Sequence, residues 1–171
     1  MRGNYRKTIA LLGAFCMFLS TVEYMIPKPL PFVRLGIANL PLILGLDILP
    51  FRHFLVLGGI KILGQALITG SLFSYVFLFS LAGTGASALS MYFLRRLLGR
   101  TLIGFTGLSV FGALLSNTVQ LFLARLFVFG PAVSYAAPPI LAAGLITGAA
   151  LGIFCERFCA RSRWYGERRK A

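Results

Sequence analysis

The sequence is short of acidic residues, of histidine and of long polar stretches. Its 171 residues include 4 Asp and Glu and 1 His, against 17 Lys and Arg. Carboxylates scattered at positions 23, 47, 156 and 167 exclude an aspartate-rich magnesium site, and one histidine is a poor basis for a metal or serine-hydrolase centre. No H-E-x-x-H motif or P-loop occurs. We therefore expect no enzyme, no catalytic residues and no metal site.

Apolar residues dominate instead, with 58% hydrophobic residues and a mean hydropathy of +0.85. Most of the apolar segments approach the ~20 residues that cross a ~30 Å hydrocarbon layer, although the second is short. They run over 8–26, 35–49, 51–69, 73–94, 105–129 and 138–160. The sequence thus predicts an all-α integral membrane protein, a bundle of six transmembrane helices. We divide it into a single six-helix membrane domain, 1–160, and a basic cytoplasmic tail, 161–171.

The basic residues predict the orientation, because Lys and Arg concentrate in cytoplasmic segments. Six spans place both termini on one side, and only Lys28 and Arg34 then lie outside. We therefore expect cytoplasmic N and C termini. A net charge of +13 is also compatible with nucleic acid, but these residues flank membrane spans, which favours anionic lipid headgroups as partners. The inside set is Arg2, Arg6, Lys7, Arg52, Arg95, Arg96, Arg100, Arg157, Arg161, Arg163, Arg168, Arg169 and Lys170.

Polar residues within the spans are the candidates for function, because a charge at mid-membrane costs ~2.5–3.5 kcal/mol on insertion scales. Lys61 and Gln65 share a helix face, as do Asn117 and Gln120. We expect these groups to line one cavity in the outer half of the membrane. Alternatively, Glu23 pairs with Lys61 or Arg125, and Asn117 and Gln120 only join helices. The candidates are Glu23, Asn39, Lys61, Gln65, Asn117, Gln120 and Arg125, while Asp47 and Arg52 are expected to form an interfacial pair.

Two further patterns leave alternatives open. Residues 27–34 contain three prolines in five residues, which excludes regular helix, so this outer segment is a lid over the polar cluster or simply a stiff loop. Gly144, Gly148 and Gly152 form a ladder of small residues on the last span. The ladder serves packing within the chain or the seam of a homodimer.

Several motifs resemble the Gx transporter family, whose members are often labelled heptaprenyl diphosphate synthase component I. They are the run 34–40 after the proline-rich loop, the run 70–73 leading to 80–83, and the run 109–113 followed by Asn117 and Gln120. The resemblance covers about residues 8–160. One departure is Ser116, at a position where the family often has histidine.

The resemblance implies a six-helix bundle similar to the substrate-binding subunits of energy-coupling-factor vitamin transporters. One branch, associated with Rnf-type redox complexes and with a flavin transferase, is thought to carry flavins across the bacterial cytoplasmic membrane. A flavin (FMN or riboflavin) is then the transported ligand, and no cofactor is required. Alternatives are transport of another vitamin, or a non-catalytic membrane subunit of a polyprenyl diphosphate synthase.

The substrate-binding residues come from two sources. Arg34, Asn39, Asn117 and Gln120 match the family's motifs. Lys61, Gln65 and Arg125 follow from their depth in the membrane, with Glu23 in the same cluster. The aromatic residues expected to stack on the flavin ring are Tyr24, Phe73 and Tyr75.

Overall fold

A computed structural model describes residues 2–26 and 36–170, and within these ranges all regular structure is helical. This agrees with the predicted all-α class. Helices suit a chain in lipid because they satisfy their own backbone hydrogen bonds. The elements are α1 (Arg2–Met25), a 3-10 turn (Ile37–Asn39) leading into α2 (Leu40–Gly45), α3 (Phe51–Ile68), α4 (Tyr75–Leu102), α5 (Phe105–Ala124), a π-helical turn (Arg125–Phe129), a 3-10 turn (Gly130–Ala132), α6 (Val133–Arg161) and α7 (Arg163–Lys170).

Four helical stretches are long and apolar enough to cross a membrane. They are Tyr5–Met25, Phe51–Ile68, Tyr75–Gly99 and Phe105–Arg161. The last stretch includes both α5 and α6, which pack against each other as an antiparallel hairpin. The described residues therefore supply five long helices, as expected of a multi-pass membrane protein.

The outside of the bundle is apolar. Phe18, Leu67, Phe122 and Ile146 lie on four different helices, and each exposes 62–68% of its surface. A soluble protein rarely exposes so many large apolar side chains, because each is more stable out of water. Lipid chains are the environment that this surface fits.

The segment predicted as the second span forms only the six-residue helix α2, and every residue of that helix is buried. Gly36, whose positive φ of 80° suits glycine, precedes the 3-10 turn, and α2 follows that turn. Irregular backbone at membrane depth is tolerated when protein surrounds it. This segment therefore lies inside the bundle rather than against lipid.

Two apolar clusters form the core, with polar residues between them. The larger joins α1, α2, α3 and the C-terminal half of α4 to the start of α5, the end of α6 and α7. The smaller joins Phe79 of α4 to Leu121 and Ala124 of α5 and to Ile140 of α6. We call the polar residues between them the polar layer. They are Glu23, Asn39, Lys61, Gln65, Thr84, Ser116, Asn117 and Gln120, all buried except the half-buried Asn39.

The glycine ladder of α6 packs against α5. A Cβ atom at Gly148 would lie 3.0 Å from Cα of Val110, and one at Gly152 would overlap Thr106. Side chains at these positions would force the two helices apart. The interpretation as packing within the chain is thus confirmed. A homodimer stays a prediction, but the glycine ladder is occupied by α5 and cannot form its seam.

Helix α7, within the predicted tail, returns to the bundle. Tyr165 is 2% exposed, and its hydroxyl donates to Oδ2 of Asp47 at 3.1 Å. Arg168 donates from Nη1 to Oγ1 of Thr8 on α1 at 3.1 Å. The first and last helices therefore meet at the same end of the bundle. We call this end, with Asp47, Arg95 and Tyr165, the basic end.

Candidate functional site

A small cavity lies in the polar layer. Its volume is about 10 Å³, roughly the room for one water molecule. Its walls come from α1, the 3-10 turn, α3, α4, α5 and α6. They are formed by Glu23, Gly36, Asn39, Lys61, Gln65, Thr84, Ala113, Ser116, Asn117 and Gly144.

Helix α3 supplies an ammonium and an amide to this cavity. Lys61 is 2% exposed, and its Nζ donates to Oγ1 of Thr84 on α4 at 3.0 Å. Gln65, one turn later, is 3% exposed. Its buried Oε1 has no hydrogen-bond partner among the described residues. A buried polar atom without a partner costs ~1–3 kcal/mol, so this oxygen is a candidate acceptor for a ligand or a water.

Glu23 fixes the start of the α2 segment. Its carboxylate is buried and accepts the backbone N–H groups of Gly36 at 3.2 Å and Ala38 at 3.1 Å. A negative charge is favourable there, because the first N–H groups of a helix lack partners within the helix. This contact holds Asn39 at the cavity, where its Oδ1 also has no partner within the described ranges.

Helix α5 contributes amides that are already hydrogen-bonded. Asn117 donates from Nδ2 to the backbone oxygen of Ile140 in α6 at 3.2 Å. Gln120 donates from Nε2 to Oγ of Ser116 at 2.9 Å. Asn117 lines the cavity and ties α5 to α6, where a Cβ atom at Gly144 would overlap its amide. Gln120 packs against Gly83 of α4.

The cavity therefore combines one carboxylate, one ammonium and several amides in a desolvated place. Charges removed from water cost several kcal/mol each unless they are well solvated by protein groups. Such a site can bind a molecule that offers hydrogen-bond donors and acceptors together, or an anion beside Lys61.

Of the predicted site residues, the structure brings Glu23, Asn39, Lys61, Gln65 and Asn117 to one cavity, with Gln120 buried in the same layer. It does not bring the aromatic residues there. Phe73 is fully exposed, and Tyr24 and Tyr75 are 58% and 48% exposed. Arg125 is exposed in the π-helical turn. Depth along a helix does not fix the face on which a side chain lies. Arg34 and the proline-rich segment 27–34 lie outside the described residues.

Sequence reasoning missed Thr84 and Ser116, which hold Lys61 and Gln120. A signal was present in α4, where Ser80, Thr84 and Ser87 are spaced by three or four residues and are all buried. The Oγ of Ser87 lacks a partner within the described part of the chain. It faces a second cavity of about 10 Å³, which shares Gly36, Asn39 and Ala113 with the first.

At the basic end, Asp47 pairs with Arg95 of α4 and not with Arg52, so that expectation is wrong. Nε and Nη2 of Arg95 donate to the two carboxylate oxygens at 2.8 and 2.9 Å. Its Nη1 donates to the backbone oxygen of Ile103 at 2.6 Å, and its guanidinium lies 4.7 Å from the ring centre of Phe105. A planar guanidinium matches a carboxylate in this way, whereas Arg52 is close to Asp47 only in sequence.

The sequence was compared with models of protein families, with curated proteins and with solved structures. A family model described as heptaprenyl diphosphate synthase component I matches residues 12–158, most of the chain. No curated protein and no solved structure matches. Within the described ranges, no group of three His, Cys, Asp or Glu residues is placed to hold a metal ion.

Proposed function

The chain belongs to the heptaprenyl diphosphate synthase component I family, and we propose that it is a membrane transporter for a small molecule. The observation that carries this proposal is the buried polar cavity, with Lys61 and Glu23 on its walls and with Oε1 of Gln65, which has no hydrogen-bond partner among the described residues. Such groups are costly inside an apolar bundle and typically mark a binding site or a pathway.

The proposed ligand is a flavin, FMN or riboflavin, carried for attachment outside the cytoplasm. The edges of a flavin ring offer donors and acceptors that suit Asn39, Gln65 and Asn117. The phosphate of FMN suits Lys61. In this proposal a flavin transferase and an Rnf-type redox complex are functional partners, and neither a cofactor nor catalysis is involved.

The size of the cavity adds a requirement. Sites for ligands of this size usually have volumes of ~300–1,000 Å³, far above the present cavity. Binding therefore requires the helices around the cavity to move apart. Since Glu23 joins α1 to the 3-10 turn before α2 through the N–H groups of Gly36 and Ala38, this contact is a suitable place for such a movement.

The experiment that tests the transporter is flavin binding by the purified full-length protein in neutral detergent. Quenching of flavin fluorescence on titration with the protein gives the affinity for riboflavin and FMN. We expect saturable binding that unlabelled riboflavin displaces. No saturation with either flavin would remove the flavin proposal, and other vitamins would then be titrated in the same way.

We further propose six spans in the bacterial cytoplasmic membrane, with both termini in the cytoplasm. The α2 segment counts as the second span in this proposal. Support comes from Arg168 and Thr8, which place the first and last helices at one end, and from the basic residues near that end. Reporter fusions after Ala171 and within 131–137 should report opposite sides. A C-terminus outside the cytoplasm would contradict the orientation.

The alternative is a non-catalytic membrane subunit of a polyprenyl diphosphate synthase. The family's description favours it. In that case the chain should copurify with a soluble synthase subunit and raise its activity. Copurification without flavin binding would favour this second function over transport.

A further inference from the structure

An open groove lies at the basic end, where α6 passes into α7. Its volume is about 460 Å³, and it is lined by Phe154, Arg157, Phe158, Arg161 and Ser162. The first four residues follow the spacing i, i+3, i+4 and i+7, so they lie on one face of α6. This groove is separate from the cavity proposed for transport.

One half of the groove is apolar. The rings of Phe154 and Phe158 stack with centroids 6.1 Å apart and planes 14° apart. The two side chains are 52% and 37% exposed. They therefore present a flat apolar surface on the outside of the bundle, where a hydrocarbon chain can lie.

The other half of the groove is cationic. Arg157 and Arg161 are one turn apart and exposed, and neither has an ion pair or hydrogen bond with a described residue. Ser162 caps the start of α7, because its Oγ accepts the N–H of Tyr165 at 3.3 Å. The positive end of the α7 dipole thus lies beside the arginines, and no acidic residue lines the groove.

The groove also lies at a suitable depth. The apolar stretch that can span a membrane ends at Arg161. Stacked phenylalanines followed by arginines therefore lie at the level where lipid tails give way to headgroups. Guanidinium groups bind phosphate through paired hydrogen bonds, which an ammonium cannot match.

We propose that this groove binds one anionic phospholipid of the surrounding bilayer. The phosphate lies between Arg157 and Arg161, close to Ser162, and an acyl chain lies along Phe154 and Phe158. This proposal holds whether or not the polar cavity binds a flavin.

The test measures binding of phosphatidylglycerol to the full-length protein in neutral detergent, by native mass spectrometry, with phosphatidylcholine as the zwitterionic reference. We expect phosphatidylglycerol to bind the wild-type protein more tightly than phosphatidylcholine does. Arg157→Gln with Arg161→Gln should weaken this binding about tenfold or more. The matched control, Arg6→Gln with Lys7→Gln, removes two exposed basic residues from α1 and should change the affinity less than about threefold.

Equal affinity for the two lipids, or equal weakening by the two double variants, would overturn the proposal. Displacement of phosphatidylglycerol by inorganic phosphate would also overturn it, because the site would then recognise a free anion. Phe154→Ala should weaken binding as well, and an unchanged affinity would remove the acyl chain from the groove. If the glutamine variant does not fold, Arg157→Lys with Arg161→Lys keeps the charge without the paired donors. It should give an intermediate affinity, and an unchanged affinity would count against the proposal.

Discussion

At the basic end, each of the three guanidinium nitrogen atoms of Arg95 has an acceptor. Two of them donate to the Asp47 carboxylate, and Tyr165 donates a third hydrogen bond to it. In the polar layer, by contrast, the side-chain oxygens of Gln65 and Asn39 have no partners among the described residues. Both regions bury charges in an apolar bundle. The first is a satisfied network that stabilises a fold, and the second contains buried acceptors that a ligand or a water molecule can satisfy.

Among the variants that distinguish these two regions, we expect the largest effect for Arg95. Arg95→Ala removes both guanidinium hydrogen bonds from the largely buried carboxylate of Asp47, and we expect a loss of about 3–5 kcal/mol in the free energy of unfolding. Unfolding in mixed detergent measures it. The matched control is Arg96→Ala, next in the chain and exposed beside Tyr92, which should cost less than about 1 kcal/mol. Similar losses for both variants would contradict a special role for the network.

Lys61 tests the charge in the polar layer. Lys61→Ala should weaken FMN binding by about 1.5–3 kcal/mol, because a charge-assisted contact to the phosphate is lost, and riboflavin binding by less. Fluorescence titration with both ligands measures the difference. Arg125→Ala, which removes an exposed cation from the π-helical turn after α5, should leave both affinities unchanged. Equal losses for FMN and riboflavin would mean that Lys61 is structural.

Gln65 tests the unpartnered acceptor. Gln65→Leu keeps the volume and removes the oxygen, so the affinity for riboflavin should fall by about 1–3 kcal/mol while the protein remains as stable as the wild type. Titration and thermal unfolding are measured on the same preparation. An unchanged affinity together with lower stability would assign Gln65 to the fold instead.

Asn117 and Gln120 should give the smallest effects. Their amides already bond to Ile140 and Ser116, so Asn117→Leu and Gln120→Leu should each lower the unfolding free energy by about 0.6 kcal/mol. Asn117 also lines the cavity, so only its replacement should reduce riboflavin affinity. Equal effects on affinity would place Gln120 at the ligand as well.

The sequence predicts the long helices and most members of the polar cluster, for a physical reason. Long apolar segments in lipid have to be helical, and intramembrane residues such as Lys61 and Gln65 have few places other than the interior. It could not predict which acceptors stay unpartnered, because that depends on contacts between helices, such as Lys61 with Thr84. It also could not place Tyr75 or Phe73, since an aromatic side chain is stable against lipid as well as inside the bundle.

The short α2 was not predictable either. Its apolar residues suit a membrane span as well as a protein interior, and its start depends on Glu23, which lies 15 positions before Ala38. From the sequence alone, Arg95 is one of several basic residues expected on the cytoplasmic side of the membrane. Its contact with Asp47 could not be predicted, because the two residues are 48 positions apart and no local sequence pattern connects them.

The contact of Tyr165 with Asp47 joins residues 118 positions apart, and this separation bears on how the protein is made. A ribosome synthesises Asp47 and Arg95 well before Tyr165, so the first two can pair during insertion while the third arrives only after α6. The basic end thus completes its assembly late in biosynthesis, because contacts between distant residues form only when both are present. A nascent chain stalled before Tyr165 should therefore be more open to protease at this end than the released protein.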